Sequence, residues 1–165
     1  VKIFLDMDGV IVDFVTGAMN HCGKQVDEWP KGEYDLNKVL RVGPSFWKSL
    51  DEAFWLGLTK THDADSIFET LRGFDICILT DPGSTGHNGK YLWLKCHYPN
   101  IDYLMGNRKD FCSHKDALLI DDSDKNCLHF RLKGGKSIVW PQQWNSKYWV
   151  GNKINYLKKE LRRLI

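Results

Sequence analysis

Short apolar runs alternate with longer amphipathic stretches along this chain. Residues 2–6 (KIFLD), 75–79 (DICIL), 117–121 (ALLID) and 137–140 (SIVW) each hold a compact hydrophobic run, and 101–105 (IDYLM) holds a fainter one. Runs of that length, bounded by polar residues or glycine, suit strands covered on both faces, as in a parallel sheet. Helical spacing intervenes at 65–72, 88–97 and 124–133, the last stopped by Gly134-Gly135 as a C-terminal cap. Between 147 and 164, Val150, Ile154, Leu157, Leu161 and Leu164 recur every three or four residues, which predicts a helix laid by one apolar stripe on the sheet's flank. This alternation predicts an α/β fold, a Rossmann-like three-layer sandwich around a parallel sheet.

Residues 14–64 break the pattern. They contain no convincing strand and place Pro30, Gly32, Gly43, Pro44 and Gly57 among short amphipathic pieces. A small helical cap inserted after the first strand fits them better than more sheet. The expected division is a core of 1–13 and 65–165 with a cap of 14–64.

Composition narrows the picture only a little. With 165 residues, 42% hydrophobic and 27% charged, the chain can bury a real core. Its 23 basic and 21 acidic residues leave a net charge of +2, so no nucleic-acid polymer or anionic membrane is expected as partner. The basic cluster Lys158, Lys159, Arg162 and Arg163 reads as a solvated helix face. No run approaches the roughly 20 apolar residues that span a bilayer, and the opening VKIFL is too short for a signal-peptide core. Five scattered cysteines without a C-x-x-C pair suggest a reducing, cytoplasmic setting. Seven tryptophans are many, and a minority of such rings line ligand pockets.

The chemistry concentrates at strand ends. Asp6-Met7-Asp8-Gly9-Val10 follows the first strand directly, and Asp121-Asp122 closes the strand ALLI. In an open parallel sheet, ligands bind beyond the carboxyl ends of strands. Paired carboxylates there repel unless a cation or a shared proton neutralises them. Asp6, Asp8, Asp121 and Asp122 therefore form a candidate cradle for a hard divalent ion, Mg²⁺ above all. Between them in sequence, Ile78-Leu79-Thr80-Asp81-Pro82-Gly83 ends a third strand in a hydroxyl residue and a turn. Thr80 can donate to a phosphate oxygen, aided by free backbone N–H groups of the loop 83–89.

In order, spacing and strand context, DMDGV, ILTD and LIDD resemble the first, second and fourth motifs of the haloacid dehalogenase (HAD) superfamily of aspartyl phosphatases. Within it, DMDGVIVDF with Phe14, the cap stretch GPSFWKSL with Phe46 and Trp47, and LTDPGS…GK…W are similar to the 5′(3′)-deoxyribonucleotidases of phage and bacteria. The resemblance implies Asp6 as nucleophile and Asp8 as general acid–base, with Mg²⁺ held by Asp6, the Asp8 backbone carbonyl, Asp121 and Asp122. It implies Thr80, Asp81 and a lysine on the phosphate. Lys109, twelve residues before Asp121, fits that lysine better than Lys115. Phe14, Phe46 and Trp47 become a slot for a nucleobase, or else the packing of the cap.

The function so implied is a Mg²⁺-dependent phosphomonoesterase acting on (deoxy)nucleoside 5′-monophosphates in the cytoplasm, of the cell or of a phage's host, with a homodimer compatible. Its rivals are a phosphatase of another small metabolite, a nucleic-acid end phosphatase and a catalytically dead binding module. A response-regulator receiver fits poorly, because there the acidic pair precedes the acceptor strand.

Overall fold

The computed structural model describes residues 1–26 and 28–165. Five strands, β1 (Lys2–Leu5), β2 (Asp75–Thr80), β3 (Asp102–Met105), β4 (Ala117–Asp121) and β5 (Lys136–Val139), form one parallel sheet in the order β3-β2-β1-β4-β5. Ladders pair Leu5 with Ile78 on one side and with Ile120 on the other. The chain therefore leaves β1 in one direction and enters β4 on the opposite flank. The crevice between their carboxyl ends is the topological switch point of the sheet.

Alternation along the strands builds the layers. Ile3, Leu5, Ile78, Leu118, Ile120 and Ile138 join one cluster with Ile67, Trp93, Leu94, Leu157 and Leu161. Those partners come from α5 (Ala64–Thr70), α6 (His87–His97) and α8 (Lys153–Leu164). On the other face Phe4, Cys77, Leu79 and Leu119 meet Phe130 of α7 (Asp124–Leu132), with Cys112 of the 3₁₀ turn Lys109–Cys112 packed beside them. A helix–sheet–helix sandwich results, as the pattern predicts. None of the helices among the described residues is long and apolar enough to cross a membrane.

Four short helices occupy the insertion: α1 (Phe14–His21), α2 (Leu36–Leu40), α3 (Pro44–Ser49) and α4 (Glu52–Leu56). Asp13, Asp35 and Asp51 cap α1, α2 and α4 by accepting from Thr16, Lys38 and Phe54 backbone N–H groups. The segment has no separate core. Its buried Leu36, Leu40, Phe46, Leu50, Trp55 and Leu58 belong to the same hydrophobic cluster as the sheet face. Where the chain leaves and re-enters the core, the two crossings hold each other: Asp13 N–H donates to the Thr59 carbonyl at 2.9 Å and Thr61 Oγ1 to the Val10 carbonyl at 2.7 Å.

The last helix departs from expectation. It begins at Lys153 rather than 147, because Asn152 caps it by accepting from Asn155 N–H at 2.9 Å. Val150, expected in its apolar stripe, lies in the turn before it. Residues 141–152 instead form a loop under the acidic pair, tied by the buried Asn145, whose amide donates to the Asp122 and Trp140 carbonyls at 2.8 and 2.7 Å.

Candidate active site

Neighbouring strand ends bring the two acidic motifs together. Asp6 N–H donates to the Ile120 carbonyl at 2.9 Å, which extends the β1–β4 ladder one step and sets Asp6 beside Asp121. One carboxylate oxygen from each of Asp6, Asp121 and Asp122 lies within 4.8 Å of the others, and all three residues are buried. Gly9 makes that crowding tolerable. Its φ is +71°, in the left-handed region, and a Cβ there would sit 2.2 Å from Asp122 Oδ2.

Lys109 is the counter-charge. Its buried ammonium lies 2.6 Å from Asp6 Oδ1 and 2.7 Å from Asp121 Oδ2. Asp121 is otherwise saturated, accepting from Ser123 N–H at 2.8 Å and from the Asn126 amide on both oxygens. Asp122 accepts from Trp144 Nε1 on Oδ2 at 2.6 Å, and its Oδ1 takes no hydrogen bond among the described residues. Asp6 and Asp122 are thus the carboxylates with oxygen to spare. Lys115 is exposed and plays no part in this cluster.

One ammonium among three buried carboxylates leaves excess negative charge, and the acids register it. Burial, then the nearby Asp121 charge, pushes the Asp6 carboxyl up to about 7. Burial, then Asp6 and Asp121, pushes Asp122 well above the ordinary carboxylate range. For Lys109, burial works to lower the pKa, but Asp121 and Asp6 prevail and hold the ammonium charged. A donor set of hard oxygens carrying more than one uncompensated charge fits a divalent cation.

Asp8 departs from the four-carboxylate cradle by its side chain only, since the resemblance names its backbone carbonyl as the ligand. Its side chain stands outside the three-carboxylate cluster and pairs through Oδ2 with the fully buried Lys90, while Oδ1 is buried with no hydrogen-bond partner. Thr80 departs as well. It is fully buried, and its hydroxyl lies 3.2 Å from Lys90 Nζ instead of reaching the cavity. The cavity wall begins one residue later with Asp81, whose side chain accepts from Gly83 N–H at 2.8 Å and whose carbonyl accepts from Lys90 at 2.6 Å.

A cavity of about 700 Å³ opens over these groups, reaching Asp6, Asp8, Lys90, Lys109 and Asp122. That size is ordinary for a small-molecule site. Its roof comes from the insertion. Phe14 lies near parallel to Trp47 (centroids 6.0 Å, 15°) and to Trp55 (5.4 Å, 11°), and all three rings line the cavity. Trp47 Nε1 donates to Asn37 Oδ1 at 2.6 Å, fixing another wall residue. Phe46, expected in the slot, lies elsewhere. It is buried edge-on against His21 and Trp47 and does not line the cavity, because its side of α3 faces the shared core.

Several wall residues escaped the sequence. Trp29 and Trp144, packed edge-to-face at 5.9 Å, close one side, and Tyr34 stands beside them. Burial, then Asp122, Asp121 and Asp6, pushes the Tyr34 phenol above its ordinary value, as expected of a hydroxyl hung over the acid cluster. The richness in tryptophan hinted at such a wall without saying which rings.

No protein-family model matches this chain, and no curated protein matches it. Solved structures do. A HAD family hydrolase from Deinococcus radiodurans R1, with bound phosphate and sodium, superposes with a TM-score of 0.59 at 15% identity over 99% of this chain and 95% of its own. A HAD family enzyme from Bacteroides thetaiotaomicron, in complex with magnesium and inorganic phosphate, gives 0.50 at 14% identity over 94% and 98%. This chain has the α/β fold of the HAD-family hydrolases.

Proposed function

We propose that the protein is a Mg²⁺-dependent phosphomonoesterase that forms an aspartyl-phosphate on Asp6, with nucleoside 5′-monophosphates, deoxy forms first, as its substrates. The observation that carries this reading is the cluster of Asp6, Asp121 and Asp122 with Lys109 at the base of an aromatic-walled cavity. The magnesium and phosphate of the Bacteroides structure and the phosphate of the Deinococcus one support it.

Asp6 and Asp122 are the residues to hold the ion directly, with Asp121 fixing Lys109 beside them and the Asp8 carbonyl as a further ligand. Bound there, magnesium supplies a Lewis acid that offsets charge on the phosphoryl oxygens. The protein's own groups do the rest. An Asp6 oxygen bonds to phosphorus as the ester P–O bond breaks, and Asp8 gives its proton to the departing alcohol. Asp8 then takes a proton from the water whose oxygen displaces Asp6 from phosphorus, releasing inorganic phosphate. Lys109 and the N–H groups of the loop after Asp81 hold the equatorial oxygens.

The roof selects the leaving group. Phe14, Trp47 and Trp55 offer flat faces to a flat base. Glu33, paired with Lys38, and Asp35 also line the cavity, as does Lys125.

Phosphate release from ribo- and deoxyribonucleoside monophosphates and from sugar phosphates, with Mg²⁺ and with chelator, tests the whole reading. Chelation and Asp6→Asn are each expected to abolish turnover, and Phe14→Ala or Trp47→Ala to raise KM for nucleotides chiefly. Equal rates on all esters would remove the nucleobase slot, and an active Asp6→Asn would remove the covalent step.

A further inference from the structure

Two buried lysines reach this site, and their surroundings differ. Lys109 contacts two carboxylates and keeps one of its three N–H donors for the cavity. Lys90 keeps none. Its ammonium donates to Asp8 Oδ2, to the Asp81 carbonyl at 2.6 Å and to Thr80 Oγ1 at 3.2 Å. The face of Trp55 lies 4.6 Å away. With every donor engaged, Lys90 has no hydrogen bond to offer a phosphate, although it sits at the cavity.

The packing around it is built to that end. Lys90 projects from α6, and the preceding Gly89 lets α6 close on the roof: a Cβ there would lie 2.5 Å from Trp55 Cβ. The lysine thereby joins the tip of β2, through Thr80 and Asp81, to the turn after β1, through Asp8. An aspartate carboxylate turns almost freely about its last torsion, which has only broad minima. Holding Oδ2 removes that freedom and fixes the carboxylate where the partly exposed Asp8 side chain lines the cavity.

We propose that Lys90 is a positioning residue, which fixes the Asp8 carboxylate at the cavity wall so that it meets the leaving-group oxygen and, afterwards, the attacking water. This rests on the phosphatase reading above. It assigns to Lys90 no contact with the phosphoryl group.

The test is first-turnover leaving-group release by wild type, Lys90→Met and Lys90→Gln, with Mg²⁺, on two esters. One is p-nitrophenyl phosphate, whose leaving group departs without a proton. The other is deoxythymidine 5′-monophosphate, whose alkoxide needs one. In the variants the nucleotide rate is expected to fall by about 10²-fold or more, the scale of lost general-acid help, and the nitrophenol rate by less than about tenfold. Substrate affinity should stay within about threefold, since no phosphate contact is lost. The amplitude of the nitrophenol burst counts the folded, competent fraction. Equal losses on both esters with weakened binding would make Lys90 a phosphate ligand and overturn the proposal. Unchanged rates, or failure of both variants to fold, would overturn it too. Wild type inert toward both esters sinks the phosphatase reading itself. Wild type active on the aryl ester alone sinks only the nucleotide reading, and glycerol 3-phosphate then takes the nucleotide's place.

Discussion

At the scale of single residues, Asp6 shows how a buried acid cluster stores a demand for a cation. A carboxyl held up to about 7 in the folded chain binds its proton more tightly than it does unfolded. Stability from that proton is full below the ordinary carboxylate range and is lost as pH climbs through about 7. Asp122, also raised, adds in the same direction. In chelator the melting temperature should therefore fall between about pH 5.5 and about pH 8. Mg²⁺, binding the ionised cluster, should raise it more at the higher pH. A metal-free protein equally stable at both values would show that the cluster carries no uncompensated charge. The acids were legible in the sequence because both pairs are local doublets at strand ends. Lys90 fell within the stretch LTDPGS…GK…W without a role of its own, and nothing nearby in the chain marks Trp144 or Asn145. Each acquires its role only when loops distant in sequence meet Asp8 or Asp122.

At the scale of elements, the turn after β1 is the most constrained piece. Met7, Gly9 and Val12 close it through Val12 N–H to the Met7 carbonyl at 2.9 Å and Gly9 N–H to the Val12 carbonyl at 2.8 Å. Gln142 Nε2 clamps the Gly9 carbonyl from the loop before α8. Gly9→Ala should cost about 1–2 kcal/mol from left-handed backbone alone, and its methyl would press on Asp122 Oδ2. Activity is expected to fall by at least about tenfold, since displacements near 1 Å at a reacting centre cost more than that. The Mg²⁺ concentration for half-maximal rate should rise as well. Melting curves and metal titrations check both, and a fully active Gly9→Ala would show that Asp122 need not stand where it does. Strands were easily read here, since parallel strands buried on both faces carry unbroken apolar runs. The start of α8 was not. The spacing of Val150 imitated a helical stripe, whereas the Asn152 cap decides where the helix can begin.

At the scale of the molecule, sheet order and insertion together make the site. The order β3-β2-β1-β4-β5 sets the Asp6 and Asp121 strand ends side by side, and the insertion roofs them with Phe14, Trp47 and Trp55. That helices and no strand lie among the described residues between 14 and 64 could be read from the pattern. The insertion's sharing of one hydrophobic cluster with the sheet could not, because periodicity says which face is apolar and not what covers it. For the same reason Phe46 was expected in the cavity and lies in the core. The claim joining these scales is that one carboxylate at the switch point, Asp6, carries the phosphoryl group. Rapid acid quench during turnover with Mg²⁺, borohydride reduction and peptide mapping test it directly, since an aspartyl-phosphate is reduced to homoserine. Homoserine at position 6, with Asp8, Asp121 and Asp122 unchanged, is the predicted result. Turnover that leaves Asp6 unmodified, or modification at another carboxylate, would contradict it.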